Sequence, residues 1–337
     1  MAGRVETRPL GKNGPEVPRL GLGLMGASGS YGLPQGDEER FALLDKAYEM
    51  GETFWDTSDA YGDSEDLIGK WFAANPEKRR DVFLGTKFGV QFDPATGMKT
   101  NSTPEYCREA LDKSLKRLRQ SCVDLYYIHR LDKVTPIEKT VEAMVELKNA
   151  GKIKHIGLSE CSAESLRRAH AVHPIACVQV EYSAFLLAIE KNKLLATARE
   201  LGVAIVAYSP LGNGILTNTL RTRQDFTKPG DMRGMLPWLS ADNIETNMAV
   251  VDKISEIAKA KGVTTAQLAL AWLLNQGDEI FAIPGTTKAS RVAENLGSLS
   301  ITLTPKEEQA IRKLSEGVVG GRVQDMMGGS FLDTPPL

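Results

Sequence analysis

Thr53-Phe54-Trp55-Asp56-Thr57-Ser58-Asp59-Ala60-Tyr61-Gly62 reads as a short apolar strand that breaks into a carboxylate and a loop carrying a phenol. Before it, Glu38–Met50 puts Phe41, Leu44 and Tyr48 on one helical face and stops at Gly51. After it, Leu67, Ile68, Trp71 and Phe72 form the apolar face of a second helix. The same unit recurs down the chain. Apolar strands are expected at Val82–Lys87, Val123–His129, Ile156–Ser159, Cys177–Glu181, Val203–Tyr208 and Ile280–Ile283. Helices fall between them. One is capped by Thr103 with Pro104 at its first position and carries Leu111, Leu115 and Leu118; others cover Pro136–Asn149, a stretch opened by Ser162, and Lys191–Leu201, closed by Gly202.

Strands that are apolar throughout suit burial on both faces, and regular strand–helix alternation implies a parallel α/β sheet. About eight repeats with no midpoint linker predict one (β/α)8 TIM barrel spanning 1–337 rather than a doubly wound sheet. Three additions flank that core. Val5–Arg19, turning at K-N-G-P, reads as an N-terminal β-hairpin. Gly212–Thr246, after the seventh strand, holds Pro229-Gly230, Pro237 and Trp238 and reads as a long loop able to cover a site. Beyond it come helices at Asn247–Lys261, Thr264–Gln276 and Lys288–Leu296, an extra C-terminal helix at Pro305–Ser315, and a Gly-rich tail with Gly317, Gly320, Gly321, Gly328 and Gly329.

Gly21-x-Gly23-x-x-Gly26 matches the dinucleotide fingerprint by letter. The fingerprint requires its last glycine to open a helix, and A-S-G-S-Y-G-L-P-Q-G follows instead, so the expected reading is a strand running into a loop. The 42% hydrophobic and 25% charged composition is that of a globular chain, and a net charge of −2 gives no support to a nucleic-acid or membrane-surface partner. Cys107, Cys122, Cys161 and Cys177 lack metal-ligand spacing, so neither a metal site nor a disulfide framework is expected. With no signal peptide and no apolar run near a membrane span, the expected address is cytoplasmic.

In a barrel the C-terminal strand ends converge on one face. Asp56, Lys87 and His129 end successive strands, and Tyr61 follows Asp56. A tyrosine hydroxyl, with an ordinary pKa of about 10, is a weak acid at neutral pH, and an adjacent ammonium favours its phenolate. Lys87 is the candidate ammonium, Asp56 its anchor, and His129 a donor to a carbonyl oxygen. The set suits protonation of an oxyanion as it forms.

The chain resembles the aldo-keto reductases over nearly its whole length. F-W-D-T-S-D-A-Y-G resembles the family's Asp/Tyr signature, L-G-T-K-F-G its Lys strand and D-L-Y-Y-I-H-R-L-D its His strand. I-G-L-S-E, Q-V-E-Y-S, A-Y-S-P-L-G and I-P-G-T-T-K resemble its cofactor segments in order. Within the family the chain is most similar to the fungal and plant branch with pyridoxal-reductase-like and perakine-reductase-like members.

The resemblance implies NADPH-dependent reduction of an aldehyde or ketone. Tyr61 would be the proton donor, Asp56 and Lys87 would tune it, and His129 would orient the carbonyl. For NADPH/NADP+ it implies Ser159, Glu160 and Gln179 at the carboxamide and Tyr208 against the nicotinamide. Ser209, Pro210, Leu211 and Gly212 would follow the pyrophosphate. Thr286 leads to Lys288 and Arg291 at the 2′-phosphate, with Glu294 and Asn295 at the adenine. Glu160 departs from relatives with Asn there, and a carboxylate cannot donate to the carboxamide oxygen. Gly285 stands where some relatives carry Lys, a role Lys288 would assume. Met25, Tyr31, Phe88 and Trp238, with His129, are the candidate substrate contacts. The partner implied is a small carbonyl compound, with the chain a monomer or weak homo-oligomer. The alternative function is a regulatory NADPH-binding subunit resembling channel β-subunits; a Schiff-base lyase through Lys87 would leave the cofactor segments unexplained.

Overall fold

The computed structural model describes residues 5–93, 97–322 and 332–337. β1 (Thr7–Pro9) and β2 (Glu16–Pro18) form the expected antiparallel hairpin. The barrel strands are β3 (Leu22–Gly23), β4 (Phe54–Asp56), β5 (Phe83–Phe88), β8 (Val123–Ile128), β9 (Ile153–Ser159), β10 (Cys177–Glu181), β11 (Ala204–Tyr208) and β12 (Ile280–Ala282), and these eight pair in parallel in that order. Parallel bridges from Leu20 to Ala282 and from Gly23 to Gly285 join first strand to last and close the barrel. The fold is the (β/α)8 TIM barrel.

Two glycines let the first strand approach both of its neighbours, Gly21 on the β4 side and Gly23 at the seam. A Cβ on Gly21 would lie 2.5 Å from the Phe54 carbonyl oxygen, and one on Gly23 would lie 2.7 Å from that of Ile283. The G-x-G letters thus serve close strand approach, and Gly26 sits in a 3-10 turn, Met25–Ser28, with no α-helix behind it.

The outer ring holds α1 (Asp37–Glu49), α2 (Ser64–Ala74), α3 (Pro104–Leu118), α4 (Ile137–Asn149), α5 (Ala163–Val172), α6 (Ala188–Lys191), α7 (Leu194–Leu201), α8 (Ile244–Lys261), α9 (Thr265–Leu274), α10 (Ser290–Leu296) and α11 (Pro305–Ser315). Caps set their starts: the hydroxyl of Thr103 accepts from Tyr106 N–H at 3.3 Å, and Thr264/Gln267 and Thr304/Glu307 form capping boxes. On α1 the buried face is Leu43, Leu44 and Ala47, with Phe41 and Tyr48 only partly covered. A second hairpin, β6 (Val90–Asp93) with β7 (Gly97–Thr100), extends β5 and was not expected from sequence.

Strand alternation divides the core in two. Phe54, Leu125, Tyr127, Cys177, Val206 and Phe281 fill the barrel interior, where Leu10 and Val17 of the hairpin region join them. Trp55, Tyr126, Ile128, Val180 and Ile205 face outward into the larger cluster under the helices. Glu52, in the turn before β4, is fully buried. Its backbone N–H donates to Ala47 O at 2.9 Å and its carbonyl accepts from Trp55 Nε1 at 2.8 Å, while both carboxyl oxygens lack a partner.

The long loop after β11 is built from 3-10 turns, and α8 starts at Ile244, earlier than the sequence suggested. The loop is strapped to the segment after β3: Met232 N–H donates to Ser30 O at 2.8 Å, Gly32 N–H to Gly230 O at 3.1 Å, and Tyr31 Oη–H to Asn213 Oδ1 at 2.6 Å. Gly328 and Gly329 lie outside the described residues.

Candidate active site

Asp56 closes β4, Lys87 lies one residue from the end of β5, and His129 follows β8, so three neighbouring strands deliver them to the same face. The Lys87 ammonium is fully buried, ion-paired with Asp56 and donating to Thr57 O at 2.7 Å. Burial alone would lower its pKa, but the adjacent Asp56 carboxylate outweighs this and holds Lys87 charged. The other Asp56 oxygen accepts from Gln179 Nε2 at 2.7 Å, so both carboxylate oxygens are engaged. Lys87 Nζ lies 4.9 Å from the centroid of the half-buried Tyr61 ring, which meets the His129 ring edge-on at 5.6 Å.

His129 is buried; burial, with the cations Arg130 and Lys87 close by, drives its pKa well below the ordinary value and keeps the imidazole neutral. Its Nδ1 is 3.1 Å from Ser58 Oγ. Arg130 donates to His129 O at 2.6 Å and to Ser159 Oγ at 3.1 Å.

Beyond Ser159 the ends of β9, β10 and β11 carry a buried ionic cluster centred on Arg322, which sequence reasoning missed. Arg322 donates to Glu160 Oε1 at 2.6 Å, to Glu181 Oε2 at 3.0 Å and to Tyr208 Oη at 3.1 Å. Glu160 also accepts from Glu181 N–H at 3.0 Å. Burial raises the Glu160 carboxyl, but Arg322 and Arg130 more than offset it, and it stays below the usual range. Glu181, left with the weaker share of Arg322 and with Glu160 beside it, is pushed by burial up to about 7. The Glu160 carboxylate thus has a full-charge partner within the chain. Glu160 and Ser209 take left-handed backbone, φ 52° and 48°, directly after β9 and β11.

Lys288 and Arg291 do not begin a helix together: α10 starts at Ser290, and Lys288 sits in the turn before it. Arg291 N–H donates to Lys288 O at 3.0 Å, which leaves the two cations a turn apart. Lys288 is exposed, and neither has an ion-pair partner among the described residues. Thr286 Oγ1 accepts from Lys288 N–H at 3.1 Å. Glu294 is half-buried and Asn295 buried in α10. Gly285 occupies the barrel seam, where a Cβ would meet Gly23 O at 3.0 Å. A pair of unneutralised cations beside a short turn fits the phosphate end of a nicotinamide cofactor.

One candidate substrate contact lies elsewhere. Phe88 adjoins Lys87 on β5 and must face the opposite side; it is fully buried and stacks on Tyr126 at 4.9 Å. Trp238 is buried with its ring edge-on to Phe185 at 6.4 Å. Tyr31 is tied to Asn213, and the guanidinium of Arg233 lies 4.7 Å from its ring centroid. Met25 is half-buried in the turn after β3. A cavity of about 280 Å3, lined in part by Glu6, Arg19, Asn275 and Asp278, opens at the other end of the barrel, away from Tyr61. No His/Cys/Asp/Glu cluster able to hold a metal occurs among the described residues.

The model of the aldo/keto reductase family matches residues 19–316. The chain belongs to that family. It is 49% identical over 321 residues to aldo-keto reductase str7 of Strobilurus tenacellus, covering 94% of each chain. It is 44% identical over 341 residues to aldo-keto reductase yakc [NADP(+)] of Schizosaccharomyces pombe, covering 99% of each. Among solved structures, the glycerol dehydrogenase AKR11B4 of Gluconobacter oxydans superposes with a TM-score of 0.81 at 28% identity, over 94% of this chain and 97% of that one. The thermostable aldo-keto reductase Tm1743, solved with the inhibitor epalrestat, gives 0.72 at 32% identity, over 91% and 99%. Family membership carries nicotinamide-dependent carbonyl reduction. No helix among the described residues is long and apolar enough to cross a membrane.

Proposed function

We propose that this chain, acting as one barrel unit, uses NADPH to reduce aldehyde or ketone carbonyls to alcohols, with Tyr61 as the proton donor. The observation that carries the reading is the buried Lys87 ammonium, locked between Asp56 and Thr57 O and set against the Tyr61 ring. When bound, the reduced nicotinamide supplies the hydride. Tyr61 gives its hydroxyl proton to the carbonyl oxygen as charge develops there. Lys87, kept charged by Asp56, stabilises the phenolate left behind. Neutral His129 donates a ring N–H to the same oxygen and orients it. Asp56 never meets substrate, since Lys87 and Gln179 engage its two oxygens.

Ser159, Glu160, Gln179 and Tyr208 would hold the nicotinamide end, the Ser209–Gly212 segment the pyrophosphate, and Thr286, Lys288, Arg291, Glu294 and Asn295 the adenosine phosphate end. The unpaired cations Lys288 and Arg291 support NADPH over NADH, as does the NADP(+) in the name of the S. pombe relative. Met25, Tyr31 and Trp238 remain, with His129, as substrate contacts. We assign the chain to the pyridoxal-reductase-like and perakine-reductase-like branch, and to the cytoplasm as a monomer or weak homo-oligomer.

The test is NADPH oxidation with a carbonyl panel that includes a nitrobenzaldehyde and pyridoxal. Tyr61→Phe is expected to abolish reduction while NADPH still binds in a fluorescence titration. Near-normal turnover in that variant would overturn the mechanism. A wild type that is inert across the panel yet forms a stable tetramer would favour the regulatory-subunit reading.

A further inference from the structure

Ser58 sits one residue before Asp59 in the loop that carries Tyr61, and its hydroxyl oxygen has three polar neighbours. Ala60 N–H donates to it at 3.2 Å, Asp59 Oδ1 lies at 3.2 Å and His129 Nδ1 at 3.1 Å. We propose that Ser58 and Asp59 set the tautomer of His129, and so decide whether its Nε2 carries the proton it needs to donate to the substrate oxygen. The proposal rests on the reductase reading, in which His129 orients the carbonyl.

The assignment follows from counting hydrogens. A serine hydroxyl offers one donor hydrogen and two lone pairs. Ala60 takes one lone pair, leaving the hydrogen and the second lone pair to be shared between Asp59 and His129. An ionised Asp59 only accepts, so it takes the hydroxyl hydrogen. Nδ1 must then donate to the remaining lone pair, and the neutral ring, with its single proton on Nδ1, presents a bare Nε2. A protonated Asp59 donates instead to the Ser58 oxygen, the hydroxyl hydrogen turns to Nδ1, and the ring proton sits on Nε2. Asp59, only partly covered, exchanges its proton with solvent; no electrons move.

The groups around this chain place the change near neutrality. Asp59 faces Glu65 on α2, Tyr106 and Arg117 on α3, Tyr126 on β8, and Lys87 O, which accepts its N–H at 3.2 Å. His129 faces Lys87, Arg130 and Tyr61. Burial, with Glu65 close by, pushes the Asp59 carboxyl up to about 7 against the Ser58 hydroxyl, Arg117 and the Ala60 N–H. The donor-competent tautomer therefore dominates below that value and is lost above it.

Ring 15N shifts of histidine-labelled protein distinguish the tautomers, and four histidines make assignment short work, with His129→Gln marking the signal. In the wild type the His129 proton is expected to move from Nε2 to Nδ1 as pH rises through about 7. Carbonyl reduction should fall with it, toward a loss of about 100-fold, the scale of losing one donor to a developing oxyanion. Asp59→Asn, whose amide can donate to Ser58 at any pH, should hold the Nε2–H form and flatten both curves. Ser58→Ala should uncouple the tautomer from pH, and Ser58→Thr should restore the coupling. A His129 that keeps one tautomer throughout, or one that still switches unchanged in Asp59→Asn, overturns the proposal. The two readings fail separately: a fixed tautomer with normal turnover removes this relay alone, while a switching tautomer without turnover supports the relay and removes the reductase role.

Discussion

Glu52 offers a clean test of the packing beneath β4, because nothing near it compensates its carboxyl. It is fully buried, neither carboxyl oxygen has a partner, and burial raises its pKa well above 4.5. The folded state therefore holds a proton that the unfolded chain releases once pH exceeds about 4.5. The sign follows directly. The folded pKa is raised, so stability is greatest below the unfolded value and declines as pH rises toward the folded one. Each pH unit in that window costs about 1.36 kcal/mol, so moving from pH 5 to pH 7 removes about 3 kcal/mol while the carboxyl stays protonated. A neutral carboxyl buried without a hydrogen bond costs a further 1–3 kcal/mol or so at every pH. Glu52→Gln keeps the shape and cancels the pH-dependent part; Glu52→Leu cancels both. Urea unfolding at pH 5, 6 and 7 should show the gain of Glu52→Gln growing with pH, by about 1.36 kcal/mol per unit for as long as the folded carboxyl stays protonated. A gain that does not vary with pH would refute the reasoning, since it would mean that Glu52 is ionised or paired in the folded protein.

Replacing Lys288 and Arg291 together with Ala should weaken NADPH by tenfold or more, on the scale of a charge-assisted contact of about 1.5–3 kcal/mol, and leave NADH nearly unchanged. Dissociation constants for both cofactors check this, and equal losses would remove the two cations from the 2′-phosphate. Arg322→Ala leaves Glu160 and Glu181 buried without their cation, a loss of about 3–5 kcal/mol at pH 8. The loss should shrink at pH 5.5, where protonation relieves the carboxylates, and melting curves at the two values would show it.

The alternation and the three polar strand ends could be read from the chain because each has a local signature: apolar runs, caps such as Thr103, and reactive side chains where a strand stops. The Phe88 side also follows from local information, since a residue beside an inward Lys87 faces outward, although the letters alone suggested a pocket wall. Other parts have no such signature. Glu160 reads in the sequence as a cofactor ligand only, because its cation Arg322 comes from the far end of the chain. Ser58 carries no signal of its own in the sequence, and the approach of β8 beside β5 puts His129 within reach of its hydroxyl. Burial of Glu52 contradicts its residue type, and composition and periodicity give no warning of it.

The glycine seam has a consequence for how this molecule is made. Leu20 and Gly23 find their partners in Ala282 and Gly285, so the barrel cannot close until nearly the whole chain has left the ribosome. Until then β3 and β11 are bare sheet edges, and the interior around Phe54 and Val206 lacks Phe281. Open edges and an unfilled apolar interior invite pairing with other chains. A chain cut short before Ile280 should therefore be captured by chaperones or aggregate, and Gly21 and Gly23 would influence yield during synthesis more than their lack of side chains suggests.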